Sequence, residues 1–395
     1  MKRDFFIGVN VLAVVIALGA GSVVFEKKAA VQAASAQAPI FEVDPMWPKP
    51  LPNHWVIGAT IGLSVDSRDH VWIIHRGAGT LEPKEMFAAQ NPPASDCCAP
   101  APPVLEFDAA GTLVGHWGGP GAGYEWPQSN HGITADYKGN IWIGGNGATD
   151  AQILKFTNSG KFLMQIGHPK MSKGSNDIDN FNKPAKLFVD KATNELYVAD
   201  GYGNRRVIVF DADSGKYKRH WGAYGNKPDD TNLGPYNPSD PPAKQFRTPV
   251  HCADLASDGL LYVCDRTNDR IQVFQKDGKF VKEQFVEKKT LGDGSVFDIA
   301  FSKDPQQRYL YVADGSNQKV WVLLRDTLEI LTSFGDGGRQ PSQFYGVHSI
   351  ATDSKGNIYT TETYRGQRVQ KFSFRGTGPV SKRDQGVVWP KRASN

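Results

Sequence analysis

A strong excess of charge of one sign is missing from this chain. Its 395 residues carry 45 Lys and Arg against 41 Asp and Glu, a net charge of +4, and no basic run stands out. Nothing in that balance points to nucleic acid as a partner. Charged residues make up 22% and hydrophobic ones 40%, which excludes a disordered chain and fits a globular body. Long apolar runs are also missing, with one exception. After a basic head, Phe5–Phe25 is 21 residues of almost unbroken apolar sequence, followed by a polar Ala-rich stretch in which Ala34-Ser35-Ala36 offers a small-x-small cleavage site. This reads as a secretory signal; 21 residues at about 1.5 Å each are also long enough for an uncleaved anchor. Either reading places the body outside the cytoplasm, with membrane contact only through this segment, so residues 1–38 stand apart from the fold. Cysteine is scarce as well. Cys252 and Cys264 flank a turn near Asp258-Gly259 and are spaced to bridge across a hairpin, while Cys97 and Cys98 are adjacent in a Pro-rich loop and pair either with each other or elsewhere.

Turn formers are abundant, with 41 Gly and 25 Pro, and they punctuate a repeat. "HGITADYKGNIWIGG" from His131, "HCADLASDGLLYVCD" from His251 and "HSIATDSKGNIYTTE" from His348 share one pattern of strand, tight turn and strand. Copies without the histidine begin at Ile61, Ala185 and Phe297. Each copy continues into a third strand, such as "RVIVF" or "RIQVF", then a turn and a fourth strand such as "YKRHWG". Six units of four short strands predict an all-β fold, a six-bladed β-propeller of NHL type over residues 39–380, with a C-terminal tail at 381–395. The sixth unit stops at its third strand, "KFSF", and Phe41–Pro48 is the expected outer strand that closes the ring and leaves no open edge.

The three histidines precede their turn glycines, Gly139, Gly259 and Gly356, by one common offset. They occupy one equivalent position at the start of the innermost strand, in blades 2, 4 and 6; Ile61, Ala185 and Phe297 hold it in the others. Alternate blades of a six-bladed ring lie about 120° apart, so three imidazoles there converge on the axis. Three His ligands with a fourth position open make a catalytic zinc arrangement; neutral imidazole also suits copper, nickel or iron. The long segments, residues 77–103, 168–184 and 224–245, all fall on the histidine face, where they would wall a substrate site. Three exits from second strands on that face carry Arg76, Tyr202 and Arg266. Beside a metal, arginine can clamp a carboxylate with a bidentate fork, and tyrosine can serve as a base.

These residues carry a resemblance. "RGAG" at Arg76, "HGITADYKGNIWI" at His131, "VADGYGNRRVIVF" at Tyr202, "FRTPVHCADL" at His251, "VCDRTNDRIQVF" at Arg266 and "GVHSIATDSKGNIY" at His348 resemble the catalytic core of peptidyl-α-hydroxyglycine α-amidating lyase, roughly from Leu63 to Phe374. The resemblance implies that His131, His251 and His348 hold zinc and that Tyr202, Arg76 and Arg266 are catalytic. It implies cleavage of a carbinolamide, an α-hydroxyglycine at the end of a small molecule or peptide, to an amide and glyoxylate. Two positions depart from it. The family's calcium-binding aspartate after the third histidine is Ser349 here, and a cysteine beside the tyrosine is Gly203, which removes a disulfide. The competing readings are a metal-dependent hydrolase on the same fold and a non-catalytic NHL-type binding module.

Overall fold

The computed structural model describes residues 36–389. Residues 1–35 of the expected 1–38 leader, and with them the cleavage reading, therefore lie outside the described residues. Among those described, no helix is long and apolar enough to cross a membrane. Six four-stranded antiparallel sheets form the six blades. The innermost strands are Thr60–Val65, Asn130–Ala135, Lys186–Asp190, Val250–Leu255, Asp298–Phe301 and Val347–Thr352. In each blade the start of the inner strand pairs with the end of the second, as Thr60 does with His75 and Val250 with Asp265, so second-strand exits share a face with the histidines.

The first turn is built by its aspartate. Asp136 Oδ1 accepts the backbone N–H groups of Lys138 and Asn140 (both 2.8 Å), and Oδ2 accepts the indole of Trp142 at 3.0 Å. Asp353 does the same for Lys355, Asn357 and the Tyr359 hydroxyl. One carboxylate thus satisfies turn donors and pins a large buried ring. The apolar core is six clusters, each joining two consecutive blades, including one between blades 6 and 1. Burial therefore runs around the whole ring, and that ring sets the angle at which the inner strands meet. At the axis the strands crowd: a Cβ on Gly132 would lie 2.5 Å from the carbonyl oxygen of Ala185 in blade 3, so only glycine fits there.

The ring closes as expected, with a shift in position. The outer strand of blade 6 is Gln37–Asp44, paired antiparallel with Arg368–Pro379, not Phe41–Pro48. Pro45 and Pro48 lack the N–H that a ladder needs, whereas Pro39 sits at a register shift on this outermost strand and is tolerated. The propeller accordingly takes in residues 37 and 38. The described part of the tail also belongs to it. Ser333 and Gly335 of blade 5 bond Gln385 and Gly386 (2.9 Å each), and Val43 N–H donates to Val388 (3.1 Å). Cys252 and Cys264 face each other in register and form a disulfide, and Cys97 and Cys98 form a vicinal one.

Candidate metal centre

Three inner strands from alternate blades deliver His131, His251 and His348 to the axis, each 2% exposed. Their ring centroids lie 4.7 to 5.1 Å apart, and one ligand atom from each falls within 4.8 Å of the others. The odd blades orient them. His131 Nδ1 meets the carbonyl of Ala185 at 2.7 Å, and His251 Nδ1 meets the carbonyl of Phe297. Both carbonyls come from the residues that hold the histidine's position in the next blade. With Nδ1–H donating there, Nε2 is left as the free base toward the axis. The Ile61 carbonyl stands third in this set, and the Ser349 hydroxyl, 3.4 Å from His348 Nδ1, donates to it at 2.9 Å.

Burial holds all three imidazoles neutral. The His131 pKa is lowered to about 3 by desolvation, with Arg76 adding repulsion. His251 and His348 are pushed well down by burial, then by a neighbouring histidine of the set and by Arg266. Neutral imidazole is the form that binds a metal. Three converging neutral Nε2 atoms with anchored Nδ1 atoms fit a divalent transition metal with one position open.

The Tyr202 hydroxyl lies on the open side, 3.0 Å from both His131 Nε2 and His251 Nε2. Arg266 Nη1 donates to that hydroxyl at 3.2 Å, its guanidinium packs 4.6 Å from the Phe297 ring, and its buried Nε has no partner. Arg76 bonds the Asn130 carbonyl (3.3 Å) and the Asn146 side chain (3.0 Å). Buried ion pairs set the two exits that carry Tyr202 and Arg266. Arg206 Nε grips Asp200 at 2.8 Å and Arg270 Nε grips Asp265 at 2.7 Å, all four side chains fully buried. At the exit after Tyr202, a Cβ on Gly203 would lie 2.1 Å from the Asn182 side chain, so a side chain at 203 would require Asn182 to move.

All six residues singled out by sequence thus face one centre. Two more do so without having been singled out. The Tyr364 hydroxyl donates to Asp293 Oδ2 at 3.0 Å, and Asp293 Oδ1 lies 3.4 Å from Arg266 Nη2. Tyr364 follows Glu362 as Tyr202 follows Asp200, and the Glu362–Arg368 pair repeats Asp200–Arg206, so aligning the exit turns would have found it. Asp293 lies in a blade connection and has no such signal.

Calcium fits less well. In a small channel cavity lined by His131, His251, Leu63 and Ser349, the Lys186 ammonium is already present, 2.7 Å from Asp254 and 2.6 Å from Asp298. Another acidic cluster, Asp66–His70–Glu106, is neutralised by Arg68.

No family model matches the chain. It is 28% identical over 251 residues to "Peptidyl-glycine alpha-amidating monooxygenase B" of Xenopus laevis, covering 62% of this chain and 26% of that protein. It is 27% identical over 303 residues to "NHL repeat-containing protein 3" of Mus musculus, covering 72% and 70%. It is 32% identical over 145 residues to "Probable peptidyl-alpha-hydroxyglycine alpha-amidating lyase pgal-1" of Caenorhabditis elegans, covering 36% of each. The chain spans only 26% and 22% of the length of the Xenopus and Rattus norvegicus amidating monooxygenases it matches. A solved protein of unknown function from Bacteroides thetaiotaomicron superposes with a TM-score of 0.50 at 14% identity, over 86% of this chain and 77% of that one, a likeness of fold alone. The chain is thus a six-bladed propeller similar in sequence to amidating enzymes and NHL-repeat proteins.

Proposed function

We propose that this protein is an exported, metal-dependent lyase that cleaves an α-hydroxyglycine-type carbinolamide to an amide and glyoxylate. The observation that carries this reading is the convergence of three neutral imidazoles, two anchored by backbone carbonyls and the third against the Ser349 hydroxyl, with the Tyr202 hydroxyl and the Arg266 guanidinium. In the reaction the carbinol O–H proton leaves, the C–N bond breaks, the carbinol carbon becomes the aldehyde of glyoxylate, and the amide nitrogen receives a proton. A zinc or similar ion held by His131, His251 and His348 would supply Lewis acidity at the carbinol oxygen. Tyr202 is within proton-transfer reach of anything seated against the histidines and moves the proton from oxygen to nitrogen. The Arg266 guanidinium, whose Nε has no partner, receives the substrate carboxylate. Arg76, half-buried, adds a second cation to the wall. The similarity to proteins named as amidating enzymes supports this chemistry. The apolar leader and the Cys252–Cys264 disulfide support an oxidising compartment outside the cytoplasm.

The likeness to an NHL repeat-containing protein over 72% of the chain favours a second reading, a binding module without chemistry. The two separate by product. On the first reading the purified body releases glyoxylate from benzoyl-α-hydroxyglycine and leaves simple esters and lactones intact. Ester or lactone hydrolysis without glyoxylate would leave a metal hydrolase, and no turnover with no retained metal would leave the binding module.

A further inference from the structure

A groove on the histidine face opens beside the centre, walled by Arg205, Arg247, Thr248, Thr267, Leu233 and Leu291. Three of these continue the elements that deliver the site: Arg205 follows Tyr202, Thr267 follows Arg266, and Thr248 precedes His251. Arg205 bonds the carbonyls of Asp229 and Thr231, and Arg247 bonds the Gly234 carbonyl and the Asn268 side chain (3.1 Å). Among the described residues neither guanidinium forms a salt bridge, and each keeps N–H donors unspent. The opposite groove, beside Arg76, is lined by Pro100, Pro103, Pro120, Trp126 and Pro127 and brings no second charge. We propose, resting on the lyase reading above, that the acyl part of the substrate carries its own anionic group, a carboxylate or its equivalent, held by Arg205 and Arg247. Such charge-assisted bonds discriminate by about tenfold or more. The test compares benzoyl-α-hydroxyglycine with its 4-carboxybenzoyl analogue as substrates, and benzoylglycine with 4-carboxybenzoylglycine as unreactive ligands in calorimetry. The wild type is expected to favour the carboxylated member of each pair by about tenfold, and Arg205→Gln and Arg247→Gln to bring the ratio near one. Glyoxylate release with equal preference overturns the subsite and keeps the lyase. A binding preference without glyoxylate release keeps the subsite and overturns the lyase. An unchanged ratio in variants that merely melt earlier shows that the arginines only staple the 224–245 loop, and overturns the subsite.

The channel below the histidines carries an independent inference. Lys186 lies half-buried between Asp254 and the fully buried Asp298, and Asp298 Oδ2 also accepts the Ile350 N–H at 3.1 Å. Burial works against the charged ammonium, but the two carboxylates outweigh it and raise the lysine's pKa above its ordinary value. The cavity that Lys186 lines is also the one that Ser349 lines, where the resembled family has its calcium-binding aspartate. We infer that Lys186 is a built-in cation that replaces a structural calcium ion in this chain. Protein dialysed free of calcium should hold none by atomic emission, and its melting temperature should not move when calcium chloride is added. Lys186→Ala should melt earlier and regain stability as calcium is added, because the buried Asp298 and the half-buried Asp254 are left without a counter-charge. One equivalent of retained calcium in the wild type, or a melting temperature that rises with calcium, overturns the inference; that arm decides it even if the variant does not fold.

Discussion

At the scale of single residues, the account divides the centre into groups that hold and a group that moves a proton. Replacing His131, His251 or His348 by alanine is expected to drop bound metal well below one equivalent, read by plasma mass spectrometry. Tyr202→Phe should keep the metal and lose about 10²- to 10⁴-fold in kcat, the ordinary worth of a positioned acid–base group; a loss of metal instead would make Tyr202 a ligand. His75 gives a prediction in pH. Its Nδ1 accepts the N–H groups of Gly58 (3.2 Å) and Gly77 (3.0 Å), its Nε2 donates to the Pro102 carbonyl (3.0 Å), and burial lowers its pKa to about 4. Above pH 6.5 the residue is neutral whether folded or not and costs nothing. As pH falls toward 4 the unfolded chain takes up a proton that the fold refuses, so stability drops by up to about 3 kcal/mol. His75→Gln should lose less stability than the wild type between pH 7 and 4 in urea titrations, and parallel curves would contradict this. The three metal-site histidines were legible at this scale because a fixed offset from a turn glycine is a property of sequence. Lys186, Asp254 and Asp298 were not, because their meeting depends on three blades converging and no spacing along the chain encodes it.

At the scale of elements, the second-strand exits do the positioning. A turn that must hold Tyr202 or Arg266 in place sits on a fully buried carboxylate–guanidinium pair, Asp200–Arg206 or Asp265–Arg270. Removing one partner strands the other charge in the interior. Arg270→Met is therefore expected to cost about 3–5 kcal/mol of unfolding free energy in urea titrations and to lower kcat through Arg266. A cost under about 1 kcal/mol would show that the turn holds itself. The repeat of strands was readable because the first turns of blades 2 and 6 share Asp-x-x-Gly chemistry, the other turns are rich in Asp, Asn, Ser and Gly, and the strands are rich in Val, Ile and aromatics. The outer strand of blade 6 was misplaced by four residues because "FEVD" carries the stronger β signal, while Gln37–Ile40 gains its pairing only from Arg368–Pro379, far along the chain. The exit tyrosine of blade 6, Tyr364, went unread for a related reason: an exposed tyrosine gains meaning only once blades 3 and 6 are superposed.

At the scale of the whole molecule, function depends on ring closure. Six interblade cores have no weakest joint by design, but blade 6 is stitched from both ends of the propeller, with Phe41 and Val43 buried beside Phe372 and Phe334. Deleting residues 36–44 would expose the Arg368–Pro379 edge and unseat that core, so the shortened protein should aggregate rather than run as a compact species in size-exclusion chromatography. A compact, metal-retaining product would show that the remaining blades hold the histidines unaided. The geometry at the axis follows from this closure, since three imidazoles meet only if alternate blades stand at fixed angles. Metal content and glyoxylate release, measured together on one preparation of the propeller body with benzoyl-α-hydroxyglycine as substrate, test that claim most directly. The account predicts about one zinc or similar ion per chain, and glyoxylate formation that disappears when that ion is removed and returns with it. Glyoxylate release that persists in the metal-free protein, or a full equivalent of metal with no glyoxylate, would contradict it.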